Sequence, residues 1–380
     1  MKNTILVEVA TVIPTKNYYL PGVGSATKAL ISALNEISDI PYNIELYAKG
    51  RMALNFDFYG WKFKHHVIPV PTRLLDLNQK IEPFLRSKMC KYDIFHVTNN
   101  YFNVGKEESF IATIHDCTDL DKRWSVDVKE EDRKLIISKF QHMASASRII
   151  VTVSNYTKTD IVHYFGVDPD KVIVNHLGID RHRFHLVSPV EIKTTLSKYK
   201  IFTPYFFACS CNRPRKNLVT ALRAFKKFLT IDPQHIFVVA WKNPPSEIVN
   251  EFAYEINNHK IIFVPFLTER ELVVFYNGAS LSIYVSRKEG FGLPILESFA
   301  CGTPVMTCWN SSIPEVGQDA AIYVGEDNID EMVDVMKMFE KSTFDHCGFI
   351  ERSEKVLKQF IWHATAKRCL GVYDVALNTY

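Results

Sequence analysis

The sequence predicts an α/β protein made of two doubly wound halves, each a parallel sheet covered by helices on both faces, and three features lead there. Short apolar, β-branched runs alternate with amphipathic stretches along the chain, the pattern of successive strand–helix units whose sheet is buried on both sides. A chain of 380 residues with 47% hydrophobic content exceeds what one core of ordinary size encloses, so two domains follow. The polar run 181–189 reads as the linker between them. No period of about 20–50 residues recurs, so the doubling is one of architecture and not a solenoid.

In the first half, residues 4–13 (TILVEVATVI) read as a strand. A connector then reaches Pro21-Gly22-Val23-Gly24 ahead of a helix with apolar positions at Ala26, Leu30, Ile31 and Leu34. Gly22 and Gly24 form a glycine-rich turn, either beside a ligand or purely structural. They do not complete a dinucleotide fingerprint: Thr27 stands where the third glycine belongs, and the next strand, 44–48, runs into Lys49 instead of an acidic ribose anchor. Across residues 42–91, nine Lys and Arg stand against four Asp and Glu, interleaved with Phe56, Phe58, Tyr59, Trp61 and Phe63. That stretch is either a basic, aromatic face for an anionic membrane or lipid-linked acceptor, or a solvated edge with core aromatics.

Strands at 94–98 and 110–115 follow, the second ending in His115-Asp116. Open α/β sheets place ligands at the carboxyl ends of their strands, which makes His115 a candidate site residue. Asp119-Leu120-Asp121 lies in the loop beyond; without further ligands it reads as solvated charge, and no metal is expected. A charged helix over about 131–146 precedes the strand 148–153, after which Ser154 is placed to cap a helix beginning near Tyr156. Residues 171–180 (KVIVNHLGID) complete this half.

The second series runs strand 205–209, helix 217–231, strand 235–240, helix 246–257, strand 260–264 and helix 269–278. Between its first strand and helix sits Asn212-Arg213-Pro214-Arg215-Lys216-Asn217. Three cations at a strand end, followed by a helix N-terminus, form either a phosphate site or a solvated turn. Next comes SLSIYVSRKEGFGLPILESFACGTPVMT, residues 280–307, which reads strand, glycine-rich loop, helix, strand. Pro294 near the first turn and Gly302 past the end delimit the helix. Its unpaired N–H groups point at the loop, where Gly290 and Gly292 allow an anion close to the backbone, and Glu289 and Glu297 bracket that end. Amphipathic helices follow Glu326, and in the last of them Trp362, Ala366, Cys369 or Leu370, Tyr373 and Leu377 recur at helical spacing as core-facing residues.

Composition narrows the function classes. Net charge is +3, with 24 basic and 21 acidic residues in 1–190 and 21 of each in 191–380, which gives nucleic acid binding no support. The eight cysteines include no CxxC pair and read as buried reduced thiols. Glu8 interrupts the N-terminal apolar run, so no signal peptide is expected, and no run approaches the ~18 apolar residues of a spanning helix. The expected location is cytoplasmic, with room for peripheral contact at the inner face of a membrane.

Several stretches together resemble one family: EGFGLPILESFACGTPV (289–305), PRKN (214–217), IVTVSNYTKTDI, KVIVNHLGID, TIHD (113–116) and the terminal FIWHATAKRCLGVY. They are similar to the retaining glycosyltransferases of family 4, also called glycosyltransferase group 1, and EGFGLPILE looks like that family's paired-glutamate motif. The resemblance implies the GT-B fold, two Rossmann-like domains facing a cleft. The expected limits are 1–182 for the acceptor-side domain, joined by a crossover helix over about 363–380, and 183–362 for the nucleotide-sugar domain. It implies that Glu289 binds the donor sugar and Glu297 the ribose. Arg215 and Lys216 would hold the diphosphate together with backbone N–H groups around Gly290, Phe291, Gly292 and Leu293, and His115 would sit close to the transferred sugar. One departure stands out: many members carry a Gly-Arg pair six residues before the lysine, where this chain has Cys209-Ser210-Cys211, so Arg213 or Arg215 must supply that charge.

The implied activity is retaining transfer of a hexose from a nucleoside-diphosphate sugar, GDP-mannose or similar, to a glycan or lipid-linked acceptor in bacterial surface polysaccharide or lipopolysaccharide synthesis. No cofactor is expected. The two glutamates are not read as a glycosidase nucleophile and acid, because Glu297 lies on the nucleotide side. The alternatives are a nucleotide-sugar epimerase, a non-catalytic sugar-nucleotide binding protein and, against the failed fingerprint, a nicotinamide oxidoreductase.

Overall fold

A computed structural model describes residues 2–13, 22–77, 80–100, 102–124, 129–209, 213–265 and 267–378. Tertiary contacts divide the chain into two compact units, Met1–Gly178 with Ile361–Tyr380, and Ile179–Phe360. The first holds a seven-stranded sheet: β1 (Thr4–Glu8), β2 (Asn43–Lys49), β3 (Lys64–Ile68), β4 (Ile94–Val97), β5 (Phe110–Ile114), β6 (Ile149–Thr152) and β7 (Val172–Val174). They lie in the order β3-β2-β1-β4-β5-β6-β7 with every neighbour parallel; Ile5, for instance, stands opposite Ile44 on one side and Ile94 on the other. The central strands β1, β4, β5 and β6 are almost wholly buried because both faces are covered, whereas the edge strand β3 (KHHVI) begins exposed.

The second unit repeats the topology with six strands: β8 (Tyr205–Ala208), β9 (Ile236–Ala240), β10 (Ile261–Val264), β11 (Leu281–Tyr284), β12 (Val305–Cys308) and β13 (Ile322–Val324). Their order is β10-β9-β8-β11-β12-β13, again all parallel. In each unit the chain winds outward from a central strand and then resumes on that strand's other side. The reversals fall between β1 and β4 and between β8 and β11. At such a switch point neighbouring loops diverge and leave a crevice at the strands' carboxyl ends.

Local chemistry explains most element limits. Ser154 accepts from the Thr157 N–H at 3.0 Å and starts the helix Asn155–Phe165, which Gly166 ends in the left-handed region. Thr268 and Glu271 form a reciprocal capping box at the helix Glu269–Gly278. The terminal helix Trp362–Asn378 buries Ala366, Cys369 and Tyr373 with residues of the helix Gly22–Glu36, as its spacing requires.

Four differences from the sequence reading have identifiable causes. β1 stops at Glu8 because the buried Glu8 carboxylate accepts the Ala10 N–H at 2.7 Å and bends the chain into a 3-10 turn, Ala10–Val12. Gly22 and Gly24 lie inside the first turn of their helix, not in a turn before it; Pro21 is outside the described residues. Residues 49–91, read only by composition, contain β3 and the helices Thr72–Leu77 and Ile81–Met89. The helical stretch at 246–257 breaks at Phe252, whose side chain is fully buried.

Candidate active site

The switch point of the second unit gathers most of the sequence-derived site residues. β8 and β11 pair directly, Leu281 opposite Phe206, so the loops leaving their carboxyl ends are neighbours. After β8, Ser210, Cys211 and Asn212 lie outside the described residues, and with them the position of the missing Gly-Arg pair. From Arg213 the chain enters the short 3-10 turn Pro214–Lys216, which ends at Asn217 with φ of +57°. That left-handed residue, a conformation asparagine tolerates, redirects the chain into the helix Leu218–Phe228. Asn217 is held there by its amide, which donates to the Glu326 carbonyl at 2.6 Å and accepts from Thr220 Oγ1 at 2.7 Å and Arg287 Nη2 at 3.1 Å.

The two loops are stitched together. Arg287 N–H donates to the Arg215 carbonyl at 2.8 Å, and Arg215 Nη1 donates to the Lys288 carbonyl at 2.7 Å. Glu289 is clasped by both cations: Arg215 Nη1 reaches Oε2 and Lys216 Nζ reaches Oε1, each at 2.7 Å. Lys216 also lies 3.5 Å from the Tyr284 hydroxyl, at the end of β11. Arg213 is exposed and precedes the turn.

Glu289 is only 6% exposed. Burial alone would raise its carboxyl, but the charges of Lys216 and Arg215 overturn that and hold it at about 2. It is therefore a carboxylate throughout the physiological range, and with its two partners the cluster carries one net positive charge.

Beyond Glu289 the loop is fixed by two serines that the sequence reading passed over. Glu289 N–H donates to Ser311 Oγ at 3.0 Å, and Ser312 Oγ lies 2.9 Å from the carbonyls of both Glu289 and Phe291. Adjacent serines after a strand carry no distinctive signal, so only the packing of β12 beside β11 reveals them. The Phe291 ring packs edge-on against Phe360 at 5.7 Å and anchors the loop from below. Gly290 is buried. Gly292 has φ of +116°, open to glycine and strained for any other residue, and it turns the chain into the helix Leu293–Ala300 with Pro294 in the first turn. The helix therefore starts beside the cationic turn, adding its partial positive charge to the same place.

Glu297 sits in that helix's second turn, half-buried, and accepts a hydrogen bond from the Tyr276 hydroxyl at 3.1 Å. Burial pushes its carboxyl above the usual range, opposed by the Arg183 charge and the Tyr276 hydrogen bond. The two glutamates thus differ in character: Glu289 is locked as an anion, while Glu297 is the more readily protonated.

In the first unit, His115 follows β5. Its N–H donates to Asn100 Oδ1 at 2.7 Å, and its ring Nε2 lies 3.0 Å from the Thr98 carbonyl, which fixes Nε2 as the protonated nitrogen. Burial lowers its ionisation, so the ring is neutral at pH 7 with Nδ1 as the acceptor. His96, fully enclosed, bridges Tyr373 and Thr113 and is pushed down to about 3 by burial and by His115. Both rings line a small cavity of about 30 Å³ with Thr27, Thr98 and Trp362, room for water and not for a sugar. Gly24 is buried in the helix one turn before that cavity's Thr27, and Gly22 is exposed at the helix start. Among the described residues no three His, Cys, Asp or Glu side chains converge as a metal site, and Asp121 pairs with Arg123. No helix among them is long and apolar enough to cross a membrane.

Two family models match the chain: Glycosyltransferase Family 4 over residues 51–183 and Glycosyl transferases group 1 over residues 198–356. Serotype-specific mannosyltransferase WbdA of Escherichia coli is 25% identical over 245 residues, 62% of this chain but only 29% of that protein, so the match spans under a third of that relative's length. O-antigen chain mannosyltransferase B of Escherichia coli is 23% identical over 289 residues, 74% of each chain. Among solved structures, Anabaena HepE in complex with UDP-glucose superposes with a TM-score of 0.73 at 13% identity, covering 98% of this chain and 100% of that one. The two parallel sheets adopt the GT-B arrangement of strands seen in such structures. With both units matched in order along the sequence and the paired-glutamate loop at the second switch point, the chain belongs to the group 1, family 4 glycosyltransferases.

Proposed function

We propose that this protein transfers a hexose from a nucleoside-diphosphate sugar to a glycan or lipid-linked acceptor, with retention of configuration, in the synthesis of a bacterial surface polysaccharide. The observation that carries the reading is the clasp of Glu289 by Arg215 and Lys216 at a helix start, a cluster with net charge of one positive unit at a topological switch point. A diphosphate supplies the negative charge that such a cluster lacks. A GT-B structure holding UDP-glucose supports a nucleotide-sugar donor, and relatives named as mannosyltransferases support mannose as the sugar transferred.

In this mechanism the bond between the sugar's C1 and the diphosphate oxygen breaks as the acceptor oxygen bonds to C1 from the same face. The acceptor's proton passes to the departing diphosphate. Negative charge grows on that diphosphate, where Arg215, Lys216 and the helix end stabilise it without reorganising; one such contact contributes about 3 kcal/mol, roughly a hundredfold in rate. Glu289 accepts hydrogen bonds from sugar hydroxyls and Glu297 from the ribose. The charge stabilisation comes from fixed cations, so turnover is expected to persist in EDTA.

The test is incubation of the purified chain with GDP-mannose, UDP-glucose and dTDP-rhamnose, following release of nucleoside diphosphate and the anomeric configuration of the product. Release from one donor with the configuration retained supports the reading. Binding without release, or epimerisation of the sugar without an acceptor, would overturn it.

A further inference from the structure

The second unit carries a cavity that the Glu289 clasp does not use. It opens where β12 and β13 end, beyond β11 on the side of the sheet away from β8. Its volume is about 380 Å³, within the range of about 300–1,000 Å³ usual for small-molecule pockets. One wall is aromatic. Trp309 is 68% exposed, and its ring meets Tyr323 in a T-shaped contact with centroids 4.6 Å apart. Tyr323 is itself anchored, its hydroxyl donating to the Gln318 carbonyl at 2.9 Å. The indole is therefore held by its neighbour and yet left mostly uncovered, an arrangement that costs hydrophobic burial unless something covers the ring.

The other wall is polar, formed by Asn310, Glu326 and Glu331. Glu326 Oε2 accepts the Asn310 amide at 2.9 Å, and Glu331 Oε2 accepts the Gly325 N–H at 2.6 Å. Oε1 of each carboxylate has no protein partner among the described residues. Charge around the cavity is uneven. Residues 326–334 contain five acids. Three have a cation of their own: Asp327 pairs with Arg287, Asp330 with Lys227, and Asp334 with Lys337 at 2.8 Å. The remaining two, Glu326 and Glu331, are the two that line the cavity, and no Lys, Arg or His among the described residues lines it with them.

We infer that this cavity binds a small organic cation, a primary alkylammonium, with the Trp309 ring against the cation and Glu326 and Glu331 accepting its N–H groups. A cation over an indole face is attracted by the ring quadrupole, and tryptophan is the strongest aromatic partner for it. The two unpaired carboxylates add direct Coulomb attraction and the hydrogen-bond acceptors that an ammonium requires. A neutral sugar would also stack on the indole but would leave both negative charges uncompensated. A divalent metal takes six or more oxygen ligands, and among the described residues no three His, Cys, Asp or Glu side chains converge. The site goes beyond the proposed transferase reaction and does not rest on it.

The experiment is isothermal titration calorimetry of the full-length chain with putrescine, beside butane-1,4-diol, which has the same carbon chain without the charges. Saturable putrescine binding is expected, with the diol at least about tenfold weaker, and a loss of at least about tenfold in both W309A and E326Q/E331Q. D334N, which removes an acid outside the cavity, should leave the affinity unchanged. Far-UV circular dichroism and the melting temperature check that the variants fold, and the single variant E331Q serves if the double one does not. Absence of saturable putrescine binding, equal binding of the diol, equal weakening by D334N and E331Q, or displacement of putrescine by magnesium chloride at the same concentration would overturn the inference. Because no sugar donor is present, failure here leaves the transferase reading untouched, and failure of transfer leaves this cavity untouched.

Discussion

Replacing Glu289 by Gln separates what this carboxylate does for the fold from what it does for a ligand. The shift of its carboxyl from 4.5 to about 2 corresponds to about 3 kcal/mol of preference for the ionised form in the folded protein. Gln keeps the volume but removes the charge, leaving Arg215 and Lys216, whose side chains are only 18% and 11% exposed, without their shared anion. The unliganded variant should lose about 2–3 kcal/mol of stability at pH 7, about 5–10 °C in the melting temperature of a unit this size. Because the folded-state value lies below the unfolded one, the contribution is complete above 4.5 and disappears as pH falls from there through 2. Wild type and variant should therefore converge in stability toward pH 2. The same substitution raises the cluster from one net positive charge to two, which should tighten free nucleoside diphosphate by about 1 kcal/mol, roughly fivefold, while transfer collapses for want of a sugar acceptor group. Calorimetry with GDP and UDP, beside a urea melt, reads both effects. If E289Q weakened nucleotide binding as much as removing Lys216 does, the charge reasoning would be refuted.

Lys216→Ala should lower both nucleotide affinity and transfer, the latter by about a hundredfold, in an assay of nucleoside diphosphate release. Gly292→Ala should destabilise the second unit by about 1–3 kcal/mol in a urea melt, since φ of +116° is strained for alanine and the new Cβ would lie 3.4 Å from Ile295 Cδ1. His96, held down to about 3, should make the first unit less stable in acid: below 6.5 the unfolded chain takes up a proton the folded one refuses, at a cost of about 2 kcal/mol between pH 6.5 and 5. His96→Gln should flatten that slope; an unchanged slope would place the titration elsewhere.

How much of this was legible in the sequence varies with the range of the interaction concerned. Period and punctuation suffice for elements whose cause is local: Ser154 caps its helix, Pro294 and Gly302 delimit theirs, and the alternation of apolar and amphipathic runs yields two parallel sheets. The Glu289 loop was legible because glycines, a proline and two carboxylates fall within one short stretch. Residues 49–91 were not, because their helix at Ile81–Met89 buries Glu82 and Arg86 and leaves Ile81, Phe84 and Met89 exposed, against the pattern that a sequence displays for a helix on a core.

The sequence by itself determined the class of fold, the order of its elements and the gathering of cations, glycines and carboxylates in two short stretches, since these follow from backbone preferences and side-chain chemistry within a few residues. Only the tertiary structure decided that Arg215 and Lys216 close on Glu289 across more than 70 residues of chain, that Ser311 and Ser312 steady it, and that His115 is a neutral ring with a fixed tautomer. Strand order made those choices, by placing β11 beside β8 and β12 beside β11. Charge and desolvation depend on what that order brings within a few ångströms, and no local pattern encodes it.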